Sequence, residues 1–180
     1  MDFSDVYERY RKNRLILFGR DSACLAALDS RLSSCTRRAA VLWALGGAVR
    51  PARALAAYFP GDFPGDDRFD AAIALSRLWA EGEVKMPAAR HAILCVHSAA
   101  KETSDPVARA LCHAVGQACS CVHTQRHALG LAVYELTAFV RQYPEGWEDA
   151  VAGAIDGYLD MLSRAEGEAL LPRRWVDFLK

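Results

Sequence analysis

The sequence predicts an all-α, single-domain fold over residues 1–180: a helical bundle or a stack of antiparallel helical hairpins. Three observations point there. Nearly every segment repeats its apolar residues at the helical period, β-branched residues are sparse, and no stretch sustains the alternation of a strand. Capping residues and Pro-Gly pairs punctuate those segments. Hydrophobic residues make up 52% of 180, enough for one real core and too many for a disordered chain. No fixed-period repeat is evident, so a solenoid is the second choice.

The first helix is expected from Ser4 to about Leu17, with Gly19 as its stop. A second runs from Asp21 or Ser22 to about Leu32. A third starts near Cys35, breaks at Gly46-Gly47 and Pro51, and resumes for two turns to Tyr58. Two Pro-Gly turns follow, Phe59-Pro60-Gly61-Asp62 and Phe63-Pro64-Gly65-Asp66. Asp66 or Asp67 then caps a helix from Arg68 to about Ala80; the aspartate spacing is not that of an EF-hand. Pro87 opens a helix that ends near Glu102, and Ser104-Asp105-Pro106 opens the next. The short link between them predicts an antiparallel hairpin. From Pro106 to about Gln142 a continuous helix would reach about 55 Å, long for a compact domain, so a kink or break is expected near Thr124–Gln125. After Pro144-Glu145-Gly146 the last long helix runs from Trp147 to about Glu168, followed by Pro172 and a short terminal turn. Trp43, Trp79, Trp147 and Trp175 read as core anchors.

Net charge is zero, which argues against a general nucleic-acid binder. The charge is unevenly spread: residues 1–60 carry ten Lys/Arg against five Asp/Glu, and residues 144–180 carry four against eight. The most apolar run, Ala39 to Val49, is too short to span a bilayer. Six cysteines form no C-x-x-C pair and the N-terminus lacks the pattern of a secretory leader, so buried free thiols and a cytoplasmic location are expected.

The chemistry-bearing feature is histidine. All five lie between His91 and His127. From Pro106 onward a 100° step per residue separates two stripes. One holds Val107, Leu111, Val115, Ala118, Val122, Leu129, Val133, Leu136 and Val140, a core face. The other holds Arg109, His113, Gly116, Ser120, His123, His127 and Tyr134. Its small residues invite another backbone, and its polar residues then need partners. On the preceding helix His91 and His97 stand about 120° apart, so only one can join that stripe. Hairpin geometry puts His97 near Arg109, Ala110 or His113, and sends His91 elsewhere.

Three readings of this polar layer compete. In the structural one the imidazoles hydrogen-bond across the bundle. In the metal one His123 and His127, at i and i+4, chelate Zn²⁺ with Cys119 as a third ligand. The glutamate of an H-E-x-x-H site is missing, since Thr124, Gln125 and Arg126 fill the gap. In the third a histidine acts as general acid–base, but no nucleophile motif or phosphate loop accompanies it. No catalytic residue is assigned.

The segments Ala89-Arg90-His91-Ala92, His97-Ser98-Ala99-Ala100, Asp105-Pro106-Val107-Ala108-Arg109-Ala110 and Val115-Gly116-Gln117-Ala118, with His123, His127-Ala128-Leu129-Gly130 and Tyr134, resemble a family of bacterial immunity proteins described as immunity-protein-5-like. Upstream, Phe63-Pro64-Gly65-Asp66-Asp67-Arg68, Ala72-Ile73, Arg77 and Trp79-Ala80-Glu81-Gly82-Glu83 resemble that family's proline–aspartate–arginine turn and following helix. Arg68-Phe69-Asp70 departs from the Arg-Pro-Arg run expected there. The match covers about residues 59–140.

The resemblance implies a helical, non-enzymatic cytoplasmic protein that binds and neutralises a cognate protein toxin. It carries over His97, His123, His127 and Tyr134 as a shared polar layer, which the helical wheel extends to His113. Exposed helix faces and the Phe59–Asp67 loop are the candidate contacts. Nucleic acid and membrane are not expected as partners. The alternatives are a metal-binding protein or metal-dependent enzyme using His123 and His127 with Zn²⁺, and a module that oligomerises through an apolar helix face.

Overall fold

A computed structural model describes residues 1–179. Among them are nine α-helices and no strand: α1 (Ser4–Arg11), α2 (Ala26–Ser34), α3 (Arg37–Gly47), α4 (Val49–Tyr58), α5 (Arg68–Ala80), α6 (Met86–Ala99), α7 (Pro106–Ser120), α8 (Ala128–Gln142) and α9 (Glu148–Glu168). Short 3₁₀ turns occupy Ala23–Leu25, Gln125–His127 and Asp177–Leu179. The fold class is all-α, as the helical periodicity predicts.

Helix α7 is the centre of the assembly. Ten of its fifteen residues are buried, more than one face can supply, because α4, α5, α6 and α8 all pack on it. Its start is fixed by Asp105, whose carboxylate accepts from the amides of Val107 (2.7 Å) and Ala108 (3.1 Å), followed by Pro106 in the first turn. Helices α5 and α6, α6 and α7, and α7 and α8 are neighbours in space as in sequence. α3 lies against α9, whose Val151, Ile155, Tyr158, Leu162 and Ala165 recur at steps of three and four to form one buried stripe. The indole N–H of Trp43 donates to the carbonyl of Tyr158 (2.9 Å) across that contact. All four tryptophans are buried.

The break after α7 falls at Cys121–Thr124, next to the predicted position, and reverses the chain. The corner is held from α2 and α3. Gln125 donates its side-chain amide to the carbonyls of Leu32 (2.7 Å) and Cys35 (3.0 Å), and Arg37 donates to those of Val122 (3.3 Å) and His123 (3.1 Å). Close approach of α8 to α7 needs Gly130, where a Cβ would stand 2.8 Å from the Cβ of Gln117.

Three boundaries differ from expectation. α1 ends at Arg11, not Leu17. Asn13 takes a left-handed φ of 49°, the Arg14 amide bonds the Arg9 carbonyl, and the Asn13 amide bonds that of Tyr10: a Schellman stop with asparagine in the glycine position. The chain beyond is irregular because Leu17 and Phe18 are both wholly buried, and the Leu17 amide donates to the Thr137 hydroxyl (3.1 Å) on α8. The α3–α4 bend sits at Ala48, and Pro51 falls in the first turn of α4, where its missing N–H costs little. α6 ends at Ala99 rather than Glu102.

The Phe59–Asp67 loop is anchored. Phe63 is buried edge-on to Phe69 with ring centroids 5.4 Å apart. Asp66, not Asp67, caps α5: its Oδ1 accepts from the Arg68 amide (2.9 Å), and its carboxylate also pairs with the Arg68 guanidinium, which reaches on to Glu102.

Candidate functional site

Four of the five histidines gather where α6, α7 and the corner after α7 meet. His97, half-buried on α6, lies over Gly116 of α7; a Cβ there would stand 2.5 Å from its Cε1. Its Nδ1 is 3.2 Å from Nδ1 of His113. Two neutral imidazoles sharing that contact need opposite tautomers, one protonated on Nδ1 and the other on Nε2. His113 in turn packs on Tyr134 of α8, ring centroids 5.1 Å apart. His127 places Nδ1 2.8 Å from Oε1 of Gln117, so this ring carries its proton on Nδ1 and donates. His123 is exposed at the corner and stacks on Trp79 of α5, 6.2 Å between centroids.

Burial is the main force on these rings. It lowers the pKa of His97, His113 and His127. The neighbouring charges of His113 and His127 add to it at His97, that of Arg109 at His113, and that of His123 at His127. Burial also raises the phenol of Tyr134. At neutral pH His97, His113 and His127 are therefore uncharged hydrogen-bonding groups.

His97, His123 and His127 line one side of an open cleft of about 450 Å³. Trp79 and Ile93 form its buried floor, Ser120 sits between the imidazoles, and Met86, Arg90 and Leu94 stand exposed at its edge. His113 and Tyr134 form the support behind His97 rather than its wall.

The predicted layer thus assembles in part: His97, His113 and Tyr134 are in contact, and His123 and His127 share the cleft with His97. Cys119 does not join them. It is wholly buried on the α5 side of α7, by Ser76, where desolvation pushes its thiol up to about 12. Among the described residues no three His, Cys, Asp or Glu side chains are arranged to hold a metal ion. His91 lies outside the layer, exposed, with Nε2 3.7 Å from the thiol of Cys95.

The model of the family described as Imm-5 like putative immunity protein matches residues 30–163. The chain belongs to this family. The Imm-5 like match runs past the 59–140 segment in which the resemblance is legible, to take in most of α2, all of α3 and α4, and most of α9. Every histidine and the whole cleft lie inside it. No curated protein and no solved structure matches the chain significantly. Among the described residues no helix is long and apolar enough to cross a membrane.

Sequence reading missed Gln117, Trp79 and Arg90 as members of this site. Gln117 follows His113 by one helical turn, which was signal enough to place it beside the polar stripe. Trp79 and Arg90 come from other helices, and nothing in the sequence ties them to His123 or His97.

Proposed function

We propose that this protein binds a cognate protein toxin and neutralises it by masking its surface, carrying out no reaction of its own, in the cytoplasm of the cell that makes the toxin. Membership of the Imm-5 like family over residues 30–163 carries this reading. The histidine layer is compatible with it. His97, His113 and His127 take part in side-chain contacts within the fold, and burial holds all three neutral. Such a layer fixes the mutual position of α6, α7 and α8 and so presents a rigid surface. Rigidity favours tight masking, because little side-chain entropy is then lost on binding.

The test is co-expression with the toxin encoded beside this protein's gene. Growth restored by the protein, together with co-purification of the two chains, is the expected result. No rescue and no co-purification overturns the reading.

A further inference from the structure

We propose that the cleft between α5, α6 and the corner after α7 is where the partner docks, and that it receives an acidic side chain carried next to a bulky apolar one on an exposed loop of the partner protein. This inference rests on the toxin-binding reading above and assigns it a contact.

The size fits side chains. A cleft of about 450 Å³ falls in the range of about 300–1,000 Å³ typical of small-molecule pockets, which is room for one or two side chains. It is open enough to be entered from outside and too small for a helix.

The lining chemistry sets the charge. Arg90 and His123 can donate, and so can Nε2 of His97 in the tautomer that accepts at Nδ1, whereas Ser120 gives its proton to the Gly116 carbonyl and neutral His127 gives its to Gln117; no carboxylate lines the cleft. Among the described residues some guanidinium groups are neutralised within the fold, Arg68 by Asp66 and Glu102 and Arg50 by Glu135, while others, such as Arg53, Arg77 and Arg164, are not; what distinguishes Arg90 is its place at the edge of the cleft. Arg90 has no hydrogen bond or ion pair to any other described residue. The ring nitrogens of His123, and Nε2 of His97 and His127, are likewise left without a hydrogen bond within the fold. An incoming carboxylate would accept from Arg90 and from an imidazole N–H, and it would meet no like charge. Charge-assisted bonds of that kind are about twice as strong as neutral ones.

The rim sets the second requirement. Leu94 is 54% exposed and Met86 42% exposed, beside the buried Trp79 and Ile93. Methionine, aromatic residues and arginine together are what the energetic centre of a protein interface is made of. A nucleic acid would ask for several cations along a backbone, and one arginine on a neutral chain does not supply them.

The experiment uses the full chain and two probes, acetyl-Phe-Glu-amide and acetyl-Phe-Lys-amide at millimolar concentration, read by NMR at the imidazole C–H and Trp79 indole signals. The expected result is movement of His97, His123, His127 and Trp79 with the glutamate peptide. The lysine peptide should bind at least about tenfold more weakly. Arg90→Glu should abolish the response at unchanged melting temperature, and Arg164→Glu on α9 should leave it intact. No response, or equal response to both peptides, overturns the inference.

The toxin co-expression assay separates this claim from the one beneath it. Wild type that protects while Arg90→Glu protects equally overturns the docking site alone. Wild type that fails to protect overturns the toxin reading and takes the docking site with it.

Discussion

His97 lies so close over Gly116 that a Cβ at residue 116 would stand 2.5 Å from its Cε1 and 2.8 Å from its Nδ1. Two opposing effects then decide the outcome of Gly116→Ala. Alanine in a helix interior is favoured over glycine by about 1 kcal/mol. Overpacking a fixed ring costs about 1–3 kcal/mol. The ring is not free to slide, because His113 holds its Nδ1 and Tyr134 backs His113. We expect Gly116→Ala to destabilise the wild type by about 1–2 kcal/mol and to stabilise His97→Ala by up to about 1 kcal/mol. Denaturant unfolding of the four variants reads the coupling; an equal effect in both backgrounds contradicts it.

Acid should weaken the fold through the same layer. His97, His113 and His127 have pKa values lowered by burial below the ordinary 6.5. The unfolded chain therefore takes up protons first as pH falls. Stability is fully present above 6.5 and is lost progressively below it, towards the depressed folded values. Paired carboxylates such as Asp66 and Glu102, also lowered, act at more acid pH and leave this window clear. Melting temperature followed from neutral pH to about 5 should fall, and His127→Gln should flatten the fall. A flat or rising profile in the wild type would count against the buried neutral layer.

Local signals in the sequence were enough for the helices whose ends are written in capping chemistry. Asp105-Pro106 and the Thr124–Gln125 corner were both legible, because a cap, an N1 proline and a length limit act within a few residues. The end of α1 was not. Gly19 looked like the stop, and the real one is Asn13, with Leu17 and Phe18 drawn into the core by contacts that include Thr137 on α8. For the site, helical spacing placed His113, His123, His127 and Tyr134 on one stripe, and hairpin logic brought in His97. It could not anticipate that the chain reverses at the corner. That reversal turns one stripe into a His97–His113–Tyr134 stack and a separate cleft wall, and takes His123 and His127 out of the helical register in which Cys119, facing α5, would have stood one turn before His123.

Thiol chemistry should follow burial. Cys112, Cys119 and Cys121 are buried with their pKa pushed up to about 12, and Cys24 to about 11, by desolvation. The thiolate is the reactive form, so these four should resist alkylation at neutral pH in the folded state. Cys35 and Cys95 are only half-buried and should label first. Mass spectrometry after a short pulse of iodoacetamide checks this. Labelling of Cys119 at the pace of Cys95 would mean the core around α7 opens readily.

Glu135 ties three helices together, and its removal should cost more than that of either partner. Arg50 on α4 donates Nε (3.1 Å) and Nη2 (3.0 Å) to its two oxygens, and the buried Tyr158 hydroxyl on α9 donates to Oε2 (2.8 Å). The guanidinium also lies 5.2 Å from the Tyr158 ring centroid. Tyr158→Phe removes one bond and leaves Glu135 satisfied by Arg50, so a loss of about 1–1.5 kcal/mol is expected. Glu135→Ala removes both acceptor oxygens and leaves the buried Tyr158 hydroxyl without its acceptor, which should cost about 2–3 kcal/mol. Arg50 softens that cost, since half of its side chain remains in water. Unfolding free energies of the two variants decide the order, and a loss for Tyr158→Phe as large as that for Glu135→Ala would contradict Glu135 as the shared anchor of the three helices.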